Sequence, residues 1–309
     1  MTQTEQAMSF TLPIYNHSFT QFDVERHALW HYLNPAPRPV FTQTLLAEML
    51  DVQHRTQRYL KGKPKTHSEL QYLVLASAVP GVFSLGGDLE LFARLIRTQD
   101  REGLSAYGRA CIDVVFNYCT HLASPSLTTI VLVQGNALGG GFEAVLSNNV
   151  LIAERSASLG LPEILFNLFP GMGAYSLLAR RLGMAQAERF LSEGRQYKAA
   201  DLYEMGIVDV LAEDGQGVRA VNAYIRKHSR SRNGLLAIQQ VRERLAPVTY
   251  RELEDIVMIW VDTALTIDAR DLRTMERLVT AQHRLSRRLE PIAGASSMRE
   301  SFLPYPSVA

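Results

Sequence analysis

The chain has 309 residues, enough to bury a full core and to form one large domain or two small ones. Hydrophobic residues make up 47% and charged residues 20%, and the formal net charge is +1 at pH 7, so nothing in the balance suggests a nucleic-acid-binding protein. No apolar run approaches the roughly 18 residues of a membrane span, and we expect no membrane partner.

Strands and helices alternate along the first two thirds of the chain. Residues 1–20 are predicted to be a flexible arm, and an alternating pattern predicts a strand over 26–32. A helix is predicted over 41–60, since its leucines and Met49 recur on one face. Two further strands each lead into a glycine-containing turn and a helix; the strands span 70–76 and 128–133, and the helices 89–96 and 142–146. This alternation predicts an α/β core with parallel strands over 21–217.

The last third of the chain is predicted to be almost wholly helical. The predicted helices span 218–228, 234–245, 251–265 and 271–288. We therefore expect a C-terminal helical region over 218–289, followed by a mobile tail over 290–309.

The termini and the cysteines favour a cytoplasmic protein. Residues 1–6 have neither the basic nor the apolar segment of a secretion signal. Cys111 and Cys119 lie in one predicted helix, where they cannot bridge to each other. The eight histidines lack metal-site spacing, and residues 135–141 do not fit Gly-x-Gly-x-x-Gly, so no metal and no dinucleotide or other cofactor is expected.

Three short motifs carry the clearest chemical meaning. Gly-Asn-Ala-Leu-Gly-Gly-Gly-Phe-Glu at 135–143 ends in Glu143, in the first turn of a predicted helix, and Gly-Leu-Pro-Glu at 160–163 ends in Glu163. Phe-Ser-Leu-Gly-Gly-Asp-Leu at 83–89 is another strand-to-helix turn. Free amides beside two carboxylates can stabilise an enolate and move protons around it. Each motif alone also fits a tight turn or an ordinary helix start.

In this order and spacing the motifs resemble the crotonase (enoyl-CoA hydratase/isomerase) superfamily. Phe-Pro-Gly-Met-Gly-Ala at 169–174 and the segments at 193–200 and 206–209 extend the resemblance over about 70–210. It implies a crotonase-type β/α spiral core whose C-terminal helices build homotrimers or larger homo-oligomers. It also implies Glu143 and Glu163 as catalytic carboxylates, and an oxyanion hole formed by the backbone N–H groups of Leu85 and Gly140.

A narrower resemblance points to the diffusible signal factor synthases, bacterial enzymes that make cis-2-unsaturated fatty-acid quorum-sensing signals. It rests on segments 82–92, 160–166, 169–176, 259–264 and 272–279. It implies dehydration of a 3-hydroxyacyl thioester on acyl carrier protein, then thioester hydrolysis to the free acid. Glu163 would take the α-proton, and Glu143 would protonate the departing hydroxyl. Leu85 and Leu159 replace the Ala and Phe common in the wider family, which argues against a generic short-chain hydratase.

Further residues are predicted to bind the substrate, namely Gly86, Leu138, Gly139, Met172, Trp260 and Leu278. Met172 and Trp260 are expected to line a closed apolar tunnel that ends near Trp260 and takes a long acyl chain. Plain core packing is the alternative explanation for most apolar residues of this region.

Two other functions stay open. One is a CoA-dependent enoyl hydratase or isomerase, and the other is a binding module held by the receiver domain of a sensor kinase. Basic clusters are candidates for docking an acidic acyl carrier protein or a CoA phosphate, although most charge runs are solvated faces. The clusters are Lys61/Lys63/Lys65, Arg226/Lys227/Arg230/Arg232 and Arg284/Arg287/Arg288.

Overall fold

The computed structural model describes residues 12–61 and 69–289, and side chains as far as residue 284. Its strands are β1 (Ser18–Asp23), β2 (Ala28–Leu33), β3 (Tyr72–Ser77), β4 (Val82–Ser84), β5 (Thr128–Val133), β6 (Asn136–Leu138), β7 (Val150–Glu154), β8 (Ser158–Gly160), β9 (Gln196–Lys198) and β10 (Val210–Ala212). Its helices are α1 (Gln43–Leu60), α2 (Leu89–Arg97), α3 (Arg101–Cys119), α4 (Gly140–Leu146), α5 (Ala174–Leu182), α6 (Met184–Glu193), α7 (Ala199–Glu204), α8 (Gly217–Ser229), α9 (Arg232–Leu245), α10 (Tyr250–Ala264) and α11 (Ala269–Leu289). Two 3₁₀ turns lie at His121–Ala123 and Glu163–Phe166.

The strands form two sheets. In each of the three repeats β3–β4, β5–β6 and β7–β8, the first strand belongs to the larger sheet and the second to the smaller one. The larger sheet has the order β1-β2-β3-β5-β7-β10, and the smaller one β4-β6-β8-β9. Pairing is parallel except between β1 and β2 and between β8 and β9. The chain thus climbs from one repeat to the next as a spiral, which confirms the predicted α/β class with a C-terminal helical region.

Side-chain caps explain where several helices begin. Thr42, Asp88, Asp100 and Thr249 each accept a hydrogen bond from the backbone N–H three residues later. Such a cap satisfies one of the amides that a helix start leaves without an intrahelical partner. The observed helix bounds lie within about two residues of those predicted from periodicity, as expected for terminal assignments.

The predicted N-terminal arm needs a correction at its end. Residues 18–20 belong to β1, which pairs along its whole length with β2. Residues 1–11 lie outside the described part of the chain, as do residues 62–68, which hold most of the first basic cluster, and the predicted tail at 290–309.

The C-terminal helices share their core with the spiral. Val257 and Trp260 of α10 belong to the same buried cluster as Ile112 and Val115 of α3. On the other face of the larger sheet, Val221 and its α8 neighbour Ile225 pack against strand residues in a second cluster. Within the described residues, no helix combines the length and the apolar character needed to cross a bilayer.

Candidate active site

Glu143 is a buried carboxylate held by the loop in front of α5. It lies on α4, and the residue is only 3% exposed to solvent. Its Oε1 accepts the backbone N–H groups of Met172 (2.8 Å) and Ala174 (3.1 Å). Since both donors come from residues 171–174, Glu143 fixes that loop against α4, and its second oxygen stays available for a substrate.

Glu163 begins a 3₁₀ turn and faces the start of α4. Its Oε1 lies so close to Gly139 that a Cβ at that position would sit 2.6 Å from it. Gly139 also has φ +54°, a conformation that favours glycine. The other oxygen, Oε2, is buried and has no hydrogen-bond partner among the described residues. A buried oxygen left in this state is expected to hold a proton or to meet a ligand.

The surroundings raise the pKa of both carboxyl groups. Burial raises the pKa of Glu143 to about 7, although its two backbone N–H donors act in the opposite direction. Burial and then the nearby charge of Glu143 raise the pKa of Glu163 to about 8. Both carboxyl groups are therefore shifted towards the protonated form, and each is suited to give or take a proton near neutral pH.

An enclosed apolar space, here the inner cavity, lies beside the two glutamates. Its volume is about 60 Å³. The lining residues are Phe41, Leu46, Met49, Gly87, Leu89, Phe92, Tyr107, Cys111, Val114, Val115, Gly140, Glu143, Ala144, Glu163, Phe166, Leu168, Phe169, Pro170, Gly171, Met172 and Trp260. The two carboxyl groups are the charged groups in this apolar wall, which accounts for their raised pKa values.

A second space, here the outer cavity, lies on the other side of Glu163. Its volume is about 280 Å³. The lining residues are Leu85, Gly86, Gly87, Leu89, Asn136, Leu138, Gly139, Pro162, Glu163, Phe166, Gln196, Leu278, Ala281 and Gln282. Gly87, Glu163, Leu89 and Phe166 line both cavities. They mark the junction at which a substrate would pass from one cavity to the other.

The predicted oxyanion donor Leu85 is wrong. Its backbone N–H already donates to the carbonyl oxygen of Pro39 at 2.7 Å, so it cannot also bind a substrate oxygen. Gly87, two residues further on, makes no such hydrogen bond within the described residues. Its nitrogen lies 3.4 Å from the position of a Cβ built on Gly140. Gly140 is the first residue of α4, where the N–H has no intrahelical acceptor. Within the described residues, Gly87 and Gly140 therefore provide two free amides close to each other.

The six residues predicted to bind substrate divide between the cavities. Gly86, Leu138, Gly139 and Leu278 line the outer cavity, and Met172 and Trp260 line the inner one.

Trp260 packs tightly in the inner wall, and the space beside it, where a closed apolar tunnel is predicted, is only the small inner cavity. A Cβ on Gly171 would lie 2.4 Å from its ring, and the ring of Phe92 packs against it at 5.1 Å between centroids. The inner cavity is smaller than the roughly 150 Å³ apolar cavity that accepts benzene. A long acyl chain would therefore need side chains to move, and Met49 and Met172 are the flexible ones in this wall.

Two residues of the site were missed from sequence. Gly87 could have been recognised as the second glycine of Gly-Gly-Asp, directly before the helix that Asp88 caps. Gln282 of α11 donates from Nε2 to the carbonyl oxygen of Leu85 at 3.2 Å and helps to close the outer cavity, and no local motif marks it.

Two alternative chemistries have little support at this site. The thiol of Cys111 lines the inner cavity, but burial raises its pKa far above neutral, so it is a poor nucleophile. Among residues 12–61 and 69–289, no three histidine, cysteine or acidic side chains are grouped to hold a metal ion.

Comparisons with known proteins all point to enoyl-CoA hydratases and their relatives. The model of the enoyl-CoA hydratase/isomerase family matches residues 33–256. The chain is 35% identical over 163 residues to a probable enoyl-CoA hydratase, echA8, of Mycobacterium leprae; the match covers 51% of this chain and 59% of that protein, less than two thirds of its length. It is 29% identical over 238 residues to the mitochondrial enoyl-CoA hydratase domain-containing protein 2 of Bos taurus, covering 76% of this chain and 72% of that protein.

A solved structure shows the same fold. The crystal structure of an enoyl-CoA hydratase from Bacillus halodurans superposes with a TM-score of 0.72 at 20% identity. The superposition covers 85% of this chain and 100% of that one. At this level of identity, the likeness establishes a common fold and leaves the reaction to be argued from the site.

Proposed function

The chain belongs to the enoyl-CoA hydratase/isomerase family, and we propose that within it the protein is a synthase of a cis-2-unsaturated fatty-acid signal of the diffusible signal factor type. In the proposed reaction, a 3-hydroxyacyl thioester on acyl carrier protein loses water, and the enoyl thioester is then hydrolysed to the free acid. The observation that carries this proposal is the pair of carboxyl groups of Glu143 and Glu163, which line one apolar cavity beside the free amides of Gly87 and Gly140.

The thioester carbonyl is placed at the junction of the cavities. There the N–H groups of Gly87 and Gly140 would bind its oxygen, which gains negative charge as the α-proton leaves. Donors of this kind, fixed before the reaction, stabilise the charge without reorganising, and removal of one typically costs about 2.7–4 kcal/mol.

The positions of the glutamates suggest their roles. Glu163 lines both cavities, so it lies nearest the carbon next to the thioester and would take the α-proton. Glu143 lines the inner cavity, one carbon further along the chain, and would give its proton to the β-hydroxyl. The Cα–H electron pair then forms the double bond, the C–O bond breaks, and water leaves.

Hydrolysis would use the same groups. One carboxylate takes a proton from water as the water oxygen attacks the thioester carbon, and the two amides again bind the carbonyl oxygen. The C–S bond then breaks, and the carrier thiol leaves with a proton. A route through a thiol nucleophile is less favourable, because burial keeps Cys111 protonated.

A second candidate function is the hydration of an enoyl-CoA, and one specific observation favours it. Oε2 of Glu163 is buried without a hydrogen-bond partner among the described residues, which favours the protonated form of Glu163. Oε1 of Glu143 accepts two backbone N–H groups, which favours its carboxylate form. This is the protonation state from which Glu143 would activate water and Glu163 would protonate Cα. Dehydration starts from the opposite state, which the bound 3-hydroxyacyl group would have to favour.

Product analysis separates the two functions. The purified protein is incubated with one 3-hydroxyacyl thioester, and separately with the matching 2-enoyl thioester, and the products are identified by mass spectrometry. A free 2-enoic acid from the hydroxyacyl substrate, absent with Glu163→Gln, supports the synthase. Conversion of the enoyl thioester to a hydroxyacyl thioester, with no free acid from either substrate, would establish the hydratase instead. NMR coupling constants of the acid give the double-bond geometry.

The proposed assembly is a homotrimer or a larger homo-oligomer. Ile238, Val241 and Leu245 form an exposed apolar stripe on α9, and a second copy would cover it. Light scattering of the wild type and of Val241→Glu tests this assembly. Binding of a sensor-kinase receiver domain stays a separate proposal, which a pull-down with a purified receiver domain tests.

A further inference from the structure

The long C-terminal helix α11 has one face that is rich in arginine and also carries the exposed Thr280. Its buried side holds Met275, which is inaccessible to solvent, and Gln282. At 100° per residue, a set of exposed arginines falls within about 40° of the opposite direction. This set, here the arginine face, consists of Arg270, Arg273, Arg277 and Arg284.

The charges on this face are largely uncompensated. Within the described side chains, none of the four arginines forms a salt bridge. The acidic residues of α11 are engaged elsewhere, because Asp271 accepts from Asn167 at 2.8 Å and Glu276 pairs with Arg97. Asp268, just before the helix, accepts the backbone N–H groups of Arg270 and Asp271 and offsets only that end of the face.

The arginine face adjoins the mouth of the outer cavity. Leu278, Ala281 and Gln282 of the same helix line that cavity. Ala281 lies about 40° around the helix from Arg277, so the lining and the basic face are neighbours. From residue 270 to 284 the face extends for about 21 Å along the helix axis. Whatever delivers a thioester into the outer cavity therefore comes close to this row of charges.

Resting on the proposed function, we propose that the arginine face of α11 is the docking surface for a small acidic protein that carries the acyl thioester on a phosphopantetheine arm. The arm would pass beside Ala281 into the outer cavity, and the body of the carrier would lie along the arginines. Charge complementarity of this kind raises the rate of encounter and fixes the orientation of the partner. A row of charges about 21 Å long fits a protein surface better than a single phosphate group.

A second basic cluster provides a matched control. Arg226 is exposed on α8 and Arg230 is exposed at its C-cap, with the same four-residue spacing as Arg273 and Arg277. Arg226 lines a surface cavity at the start of β2 and β3. The candidate active site lies at the opposite ends of the strands, after β3 and β5. Replacing Arg226 and Arg230 by glutamate changes the net charge by the same amount as replacing Arg273 and Arg277, but at a distance from the proposed docking surface.

The experiment compares wild type, Arg273→Glu/Arg277→Glu and Arg226→Glu/Arg230→Glu on one acyl group presented in three ways. The acyl group is linked to acyl carrier protein, to CoA or to N-acetylcysteamine, which lacks both a protein and a phosphate. Circular dichroism and thermal unfolding confirm that each variant is folded. We expect the α11 double variant to raise KM for the carrier-bound substrate by about tenfold or more, with the N-acetylcysteamine substrate unchanged. The wild-type KM for the carrier should rise with salt more steeply than that of this variant.

The outcomes are distinct. An unchanged KM for the carrier-bound substrate, or an equal rise with the α8 double variant, would overturn the proposal. A rise confined to the CoA substrate would assign the arginines to CoA phosphates and would also overturn it. If the wild type turned over none of the three substrates, the proposed function would fail. Calorimetric titration with holo-acyl carrier protein would then still decide docking, by binding to wild type and its loss in the α11 variant.

Discussion

The wall of the inner cavity and the roof of the outer cavity are built in different ways. In the inner wall, α10 packs so closely that a Cβ on Gly108 would lie 2.5 Å from Val257, and one on Gly171 would lie 2.4 Å from Trp260. The outer roof is α11, which packs on the spiral through Met275, Leu272 and Leu278 and is also joined to it by several polar contacts. These are Gln282 to Leu85 O (3.2 Å), Asn167 to Asp271 (2.8 Å), His283 to Glu90 (3.6 Å) and the Arg97–Glu276 pair.

This difference indicates how the site takes up a substrate. Close packing resists changes of volume, because both cavities and overpacking cost stability. Surface polar contacts are each worth about 1 kcal/mol or less and can break and reform. We therefore expect the roof to move when a substrate enters, and the inner wall to respond mainly through side-chain rotamers.

The largest effects are expected where the two regions meet, at the glutamates. Glu163→Gln and Glu143→Gln should each lower kcat by about 10²–10⁴-fold, because each removes a group that transfers a proton. The wild-type rate should be bell-shaped in pH, with limbs near 7 and 8. Glu188→Gln, on the exposed surface of α6, is the control. Normal product formation by both site variants would disprove the proposed roles.

The second test concerns the amide donors at the same junction. Gly140→Pro removes one N–H at the first position of α4, where proline is tolerated, and should lower kcat by about 10²–10³-fold. Gly140→Ala keeps the N–H, and its Cβ would meet its nearest neighbour at 3.4 Å. We expect Gly140→Ala to lose much less activity in steady-state assays. Equal losses in the two variants, both folded, would mean that the N–H is not the group that matters.

The third test probes the inner wall alone. Gly171→Ala forces a methyl group into the Trp260 ring and should lower the free energy of unfolding by about 1–3 kcal/mol. Gly234→Ala on α9 has open space around its Cβ and should be neutral or stabilising by up to about 1 kcal/mol. Chemical denaturation measures both. If Gly171→Ala unfolded like wild type, the wall would be softer than its packing suggests.

The fourth test is a pH effect on stability. The pKa of Glu163 is about 8 in the folded protein, and its ordinary value of 4.5 applies to the unfolded chain. Between these pH values the folded protein binds more protons than the unfolded chain. Its contribution to stability is therefore present at low pH and is lost as pH rises through 8. A pKa difference of one corresponds to about 1.4 kcal/mol. Glu163→Gln should thus gain at least about 1.4 kcal/mol relative to wild type between pH 5 and pH 9. Denaturation is measured at both pH values for wild type, Glu163→Gln and the control Glu188→Gln. If the stability difference between Glu163→Gln and wild type were the same at both pH values, this explanation would be wrong.

The smallest effect is expected in the outer roof. Gln282→Ala removes the hydrogen bond to Leu85 O and should cost about 1 kcal/mol or less in global stability. Amide hydrogen exchange should become faster in α11 while exchange in α10 stays the same. Faster exchange in both helices would show that the roof and the inner wall open together and do not differ in rigidity.

Much of the fold was predictable because its signals are local. Periodic apolar residues predicted α1, α2 and α8–α11, and apolar runs before glycines predicted β3 and β5. Three-residue strands such as β4, β6 and β8 carry too few residues for a period to show, and the first half of β1 falls within the predicted arm. These strands are stabilised by partners distant in sequence, so propensity alone does not reveal them.

The sequence by itself determined the α/β class and the family, and it pointed to the two glutamates, since each depends on residue types at fixed spacing. Tertiary structure decided which amides are free. The N–H of Leu85 is bound to the carbonyl oxygen of Pro39, 46 positions away, so the amide left free for the proposed donor role is that of Gly87. It also decided that Gln282 closes on Leu85 across 197 positions, and that the space beside Trp260 is about 60 Å³. A hydrogen-bond partner and a cavity volume depend on which distant segments pack together, and no local pattern encodes that.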